Sequence, residues 1–292
     1  MKKIILSSLI IFSLLSSAYC QDDAEKKEKD KPVRAAWGSG ILIDQQTSDI
    51  PDAHTFESVI QHRFGSIKSD MSDIYGIFAP GANLKMGFNY VVCNNVQIGY
   101  GLTKGSMYNE FSLKWNVFEQ TRKNKMPVSI TLFANTAISG NPDKYFGDDY
   151  QFVSRASYFS QLIIGRKFCD EFSLQAGLSF SHYNFLPSPD MDHDIMAVHV
   201  GGRVKFSPQS SLVFNYDLPL KLDILSEQGL YPNHPRSNLS IGYEVSTGTH
   251  AFQFFVTTSA GIVPQDIVVF NRNDWTDGAF QFGFAITRLW GF

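Results

Sequence analysis

Phe280-Gln281-Phe282-Gly283-Phe284-Ala285-Ile286-Thr287-Arg288-Leu289-Trp290-Gly291-Phe292 ends the chain with a period of two. Phe280, Phe282, Phe284, Ile286, Trp290 and Phe292 fall on one side of an extended backbone, and Gln281, Gly283, Ala285, Thr287 and Gly291 fall on the other. Successive side chains of a strand point to opposite faces, so the stretch is a strand with one large apolar face and one small or polar face. Arg288 alone interrupts the apolar side.

The same alternation recurs throughout the preceding chain. Leu239, Ile241, Tyr243 and Val245 oppose Asn238, Ser240, Gly242 and Glu244, and Leu84, Met86, Phe88 and Tyr90 oppose Asn83, Lys85, Gly87 and Asn89. About twelve such segments are expected, at 54–65, 82–92, 95–104, 107–119, 127–138, 150–168, 171–184, 194–207, 210–219, 237–247, 250–260 and 278–291. A soluble sandwich would turn long charged side chains toward water. Here the polar face is rich in Gly, Ser, Asn, Gln and Thr with a few charges among them, which suits a crowded, hydrated lumen. The links alternate as well, from short (Cys169-Asp170, Pro208-Gln209, Gly248-Thr249) to long (66–81, 139–149, 221–236, 261–277), with Thr103 to Ser106 the one short link on the long side. Short turns at one rim and long loops at the other mark an all-β, antiparallel transmembrane β-barrel in an outer membrane, with the lipid bilayer as its main partner. Phe292 and the aromatic residues behind it also suit the terminal signal read by barrel-assembly machinery.

Upstream, Lys2 and Lys3 precede an apolar run from Ile4 to Leu15, and Ser16, Ser17 and Ala18 lead to Tyr19-Cys20-Gln21. This is a secretory signal at 1–20, too short for a helical span, with cleavage expected after Cys20. Tyr19 is bulky where a lipidation site needs a small residue. Residues 21–53 begin with a mixed-charge tether and continue with Val33, Trp37, Ile41, Leu42 and Ile43, which could lie in the barrel mouth or pair with its edge; the barrel itself is expected at 54–292. Formal charge is −3. Without the signal lysines it is −5, with 23 basic against 28 acidic residues, which does not suggest nucleic acid as a partner. Cys93 and Cys169 lie in turns far apart in sequence and are expected as free thiols.

Several short stretches carry a resemblance. Gln61-His62-Arg63-Phe64-Gly65, Gly165-Arg166-Lys167-Phe168, Val200-Gly201-Gly202-Arg203, Leu239-Ser240-Ile241-Gly242-Tyr243-Glu244 and Asn273-Asp274-Trp275, in this order, resemble an uncharacterised outer-membrane β-barrel family of Bacteroidetes from about Ile43 onward. The resemblance implies a barrel in the outer membrane and brings no catalytic set.

By alternation the lumen carries Glu57, Arg63, Lys85, Glu110, Lys114, Arg155, His199, Arg203, Lys205, Asp217 and Glu244. Mixed charges of this kind either pair across a closed barrel or line a passage that selects solutes by charge. Arg166, Arg288, Trp290 and Phe292 are expected as interface anchors, the arginines snorkelling to headgroups. Asp190, Asp192, His193 and Asp194 could hold a cation but suit a solvated loop better, and Ser181-His182 point to opposite faces and cannot act as a dyad. No metal, cofactor or enzymatic activity is expected. The function that follows is a passive channel for small solutes. The alternatives are a structural or docking barrel and, behind it, a rim hydrolase.

Overall fold

A computed structural model describes residues 30–34, 36–68, 71–78, 81–227, 231 and 233–291. The expected signal at 1–20, most of the expected tether and Phe292 lie outside the described residues.

Two short strands, β1 (Ile41–Leu42) and β2 (Gln45–Gln46), come before the wall. The wall is built from β3 (Thr55–Ser66), β4 (Asn83–Cys93), β5 (Val96–Thr103), β6 (Asn109–Phe118), β7 (Ser129–Ile138), β8 (Ala156–Lys167), β9 (Phe172–Tyr183), β10 (Asp194–Lys205), β11 (Ser210–Pro219), β12 (Asn238–Ser246), β13 (His250–Thr257) and β14 (Gln281–Gly291). Each pairs antiparallel with its chain neighbours, and β14 pairs β3, with Trp290 opposite Phe56 and Gly291 opposite Thr55. The result is a closed barrel of 12 strands with no free edge, the form in which a sheet can cross lipid. The expected strand at 150–168 starts later, at Ala156, because Phe152–Arg155 forms a 3-10 turn.

Alternation decides what each face meets. Met86, Phe88 and Tyr90 of β4, Leu162 and Ile164 of β8, Ile241 and Tyr243 of β12 and Phe282 of β14 are exposed on the outside. Such a continuous apolar band would be an aggregation hazard in water and suits contact with acyl chains. The other face of the strands, with residues such as Gln161, Glu244, Gln253 and Thr287, is buried in the lumen.

Residues 36–53, before β3, lie inside the barrel. The chain passes the short-turn rim where Pro32 bridges Thr121 and Val33 N donates to Gln120 O at 2.8 Å. It enters the lumen as the β1–β2 hairpin and returns to the same rim, where His54 N donates to Val91 O at 2.8 Å. Trp37, Ile41, Leu42 and Ile43 pack against Val59, Val213, Phe255 and Ala285 of the wall. The opposite end is capped by a short helix, α1 (Pro264–Val269), in the β13–β14 loop. Its Val268 and Val269 bury against a cluster that includes Phe133, Phe159, Ile163 and Ile195. The lumen is therefore partly apolar at both ends, which the polar face of the alternation alone does not show.

Candidate functional site

Filling the lumen buries polar backbone, and each such group needs a partner. The wall supplies them from side chains. Ile43 N donates to Gln253 Oε1 at 3.0 Å, and Ile41 O and Ile43 O accept from Gln253 and Gln61 at 3.1 and 3.0 Å. Gln175 accepts from Ser48 N at 3.2 Å and donates to Gln46 O at 2.8 Å, while Thr131 donates to Ser48 O at 2.7 Å. Lys114 Nζ donates to Gly40 O at 3.1 Å. The many Gln and Thr residues of the lumen face are thus the partners of an inserted hairpin.

At the hairpin tip, Asp44 pairs with Arg63, both fully buried. Its Oδ2 accepts from Asn238 at 2.8 Å, Ser240 at 2.5 Å and Thr257 at 2.8 Å. A buried carboxylate is tolerable only with such a set of donors. Glycines make room for the insertion. A Cβ on Gly165 would lie 2.1 Å from Ser48 Oγ, and one on Gly201 would lie 2.7 Å from Gln45 Oε1.

Two further pairs span the lumen wall. Lys85 pairs with Glu110 over the intervening strand β5, where Gly101 leaves the gap that the two side chains cross. Arg203 Nε donates to Glu244 Oε1 at 2.8 Å across β11. Glu57 Oε2 accepts from Asn89 at 2.9 Å and Gln97 at 3.0 Å.

His199 joins Asp217, its register partner, through Nδ1 at 2.7 Å, and Ser179 Oγ through Nε2 at 2.6 Å. The order of contacts is that of a hydrolytic triad. All three are buried, and the adjacent cavity is about 10 Å³, so no substrate reaches the serine. The chain ties three strands together. Ser179 was missed in the sequence because only the β9–β10 register places it diagonally across from His199.

Lys205 is half-buried at the short-turn rim. Arg155, expected in the lumen, instead sits outside it at the opposite rim, because the 3-10 turn before β8 breaks the strand phase, and it pairs with Asp143. Arg166 and Arg288 lie over the rings of Phe168 and Trp290, at 5.2 and 4.7 Å, so their stems follow the outer face and each guanidinium rests on an aromatic ring. Asp192 Oδ1 accepts from Glu227 N at 2.7 Å, and His193 Nδ1 lies 2.5 Å from Tyr183 O, so this loop is pinned to its neighbours. Among the described residues no group of three or more His, Cys, Asp or Glu is placed to hold a metal. Cys93 and Cys169 are free thiols.

Space inside is small. Cavities between hairpin and wall measure about 30 and 10 Å³, against about 30 Å³ for one water in the liquid. At the short-turn rim an open vestibule of about 1300 Å³ lies under the hairpin, lined by both charge signs, including Arg34, Asp52, Glu119 and Lys205.

A closed 12-strand barrel with an apolar outer band is an outer-membrane β-barrel protein. The chain belongs to the family described as Membrane bound beta barrel domain (DUF5777), whose model matches residues 38–290. That span takes in the hairpin as well as the wall. Among solved structures it is similar to an outer membrane channel from Pseudomonas putida F1, with 9% identity and a TM-score of 0.49 over 83% of this chain and 97% of that one. It is also similar to the KdgM porin, with 7% identity and a TM-score of 0.45 over 80% and 99%. A third is the Acinetobacter baumannii outer membrane protein Omp33, with 9% identity and a TM-score of 0.41 over 81% and 98%. No curated protein sequence matches the chain.

Proposed function

We propose that the protein is a passive passage for small solutes across a bacterial outer membrane, closed by its own N-terminal hairpin. The observation that carries this is the way the hairpin is held. Gln61, Lys114, Thr131, Gln175 and Gln253 bond its backbone, and these are groups that water can satisfy equally well once the hairpin leaves. Withdrawal would therefore leave a polar wall able to conduct, with Glu57, Lys114 and Arg203 facing the solute path. The motif resemblance points to a Bacteroidetes host, and barrel-assembly machinery would insert the chain.

Planar-bilayer recording of the full chain and of a variant lacking residues 36–53 tests this. The full chain should conduct rarely and in brief openings, and the variant steadily. A silent deletion variant that has assembled as a barrel would overturn the proposal. The vestibule favours a second function, in which a periplasmic partner docks at the short-turn rim. A pull-down from periplasm that recovers a partner with the full chain, and loses it with Arg34→Glu and Lys205→Glu, would support that function over conduction.

A further inference from the structure

The rim of long loops holds a further cavity, of about 170 Å³, remote from the hairpin. Four loops converge on it: β5–β6, β7–β8, β9–β10 and the one carrying α1. Its volume is that of about six waters in the liquid. That is room for one small ring and not for a chain of them.

The walls are aromatic and already fixed in place. Phe185 packs on Tyr145 and Phe146, with ring centroids 5.7 and 5.2 Å apart, and Phe270 packs edge-on to Tyr183 at 4.8 Å. Asp266 is set between two tyrosines: Tyr108 and Tyr183 hydroxyls donate to its Oδ1 at 3.1 and 2.5 Å. Among the described residues Oδ2 has no hydrogen-bond partner, and Asp266 is only partly buried where it lines the cavity. An acceptor is therefore open toward the space, beside Asn141 and Ser154.

Arg155 decides the charge of what can bind. Its donors are spent on Tyr150 at 2.7 Å, on the carbonyls of Ser139 and Asn141 at 2.9 and 2.5 Å, and on Asp143. That uses four of its five N–H groups, so it cannot present the two-donor fork that grips an anion, while its charge opposes a cation. Asp266 in turn repels anions. What suits such a site is a neutral molecule with C–H faces for the rings and hydroxyls for the acceptor.

We propose that this cavity binds a single neutral, polyhydroxylated ring of monosaccharide size at the outer rim. The site is separate from the hairpin, so its occupancy does not depend on whether the barrel conducts.

Saturation-transfer NMR on the full chain in detergent micelles tests this, with glucose, galactose and mannose as neutral probes and glucosamine and glucuronate as charged ones. At least one neutral sugar should take up saturation at its ring C–H protons. Tyr145→Ala, at an exposed ring, and Asp266→Asn, which keeps an oxygen for the tyrosines, should each weaken its binding fivefold or more. Heat-modifiable gel mobility checks that both variants are folded barrels. Binding of only the charged sugars, of no sugar, or of a neutral sugar equally to both variants would overturn the proposal. None of these results would bear on conductance.

Discussion

At the scale of single residues, the interior is governed by the cost of burying charge. Arg63 and Asp44 are fully buried, and removing one leaves the other without its counter-charge. Arg63→Ala should cost about 3–5 kcal/mol, read as a drop in the urea midpoint of the folded barrel. Asp44→Ala added to it should cost much less than the two singles combined. Additive effects would show that the pair is not coupled. Steric fit is as strict. Gly165→Ala should cost about 1–3 kcal/mol by overpacking, because its Cβ would sit 2.1 Å from Ser48 Oγ. Ser48→Gly should restore much of that loss if the clash is with the hairpin. Most of the inward charges were legible from alternation, since a strand gives no other choice of face. Asp44 was not, because a two-residue turn has no period. Alternation misplaces Arg155 because a 3-10 turn breaks the strand phase there.

Two short elements close the barrel, and each carries a local cost. The turn of the hairpin puts Ile43, a β-branched residue, at φ 53. Left-handed backbone costs an L residue about 1–2 kcal/mol, whereas losing a fully buried Ile side chain costs about 2–5 kcal/mol. Burial wins, so Ile43→Gly should destabilise the hairpin despite relieving the backbone, and hydrogen exchange of residues 41–46 should speed up. At the other end, burial pushes the Asp266 carboxyl up from 3.8 to about 6, although Tyr183 and Tyr108 partly oppose it. The folded loop then holds a proton that the unfolded chain releases above about pH 4. Stability of α1 should fall as pH climbs from 3.8 to about 6 and be flat above that. Exchange at the amides of Ile267 and Phe270, which bond Val263 O and Asp266 O, should follow this profile once corrected for intrinsic rate. Asp266→Asn should abolish it.

For the whole molecule, the wall is complete without its filling. Every barrel strand pairs with wall neighbours, and the hairpin contributes no strand to the closed sheet. The variant lacking residues 36–53 should therefore still insert and show heat-modifiable mobility, with a lower unfolding temperature than the full chain. Failure to assemble would show that the hairpin is needed to close the wall. The wall was legible because period two persists for 8 to 12 residues in each strand. The hairpin was not, since its strands are two residues long and its apolar groups bury against β3, β11, β13 and β14. No local pattern encodes a contact with strands more than 150 residues away, such as Asn215 to Asp44 or Gln253 to Ile43.

The hairpin passes the rim beside Thr121 on its way in and beside Val91 on its way out, so both of its ends stay on one side of the membrane. It is a bight of chain pushed into a tube, with no free end to thread and no knot to undo. A bight can be drawn back along its own path while the wall stays intact. A covalent link between its two arms, as at Trp37 and Ser48, would leave it able to slide out as one piece. A link from Ser48 to the wall at Gly165 would hold it for good.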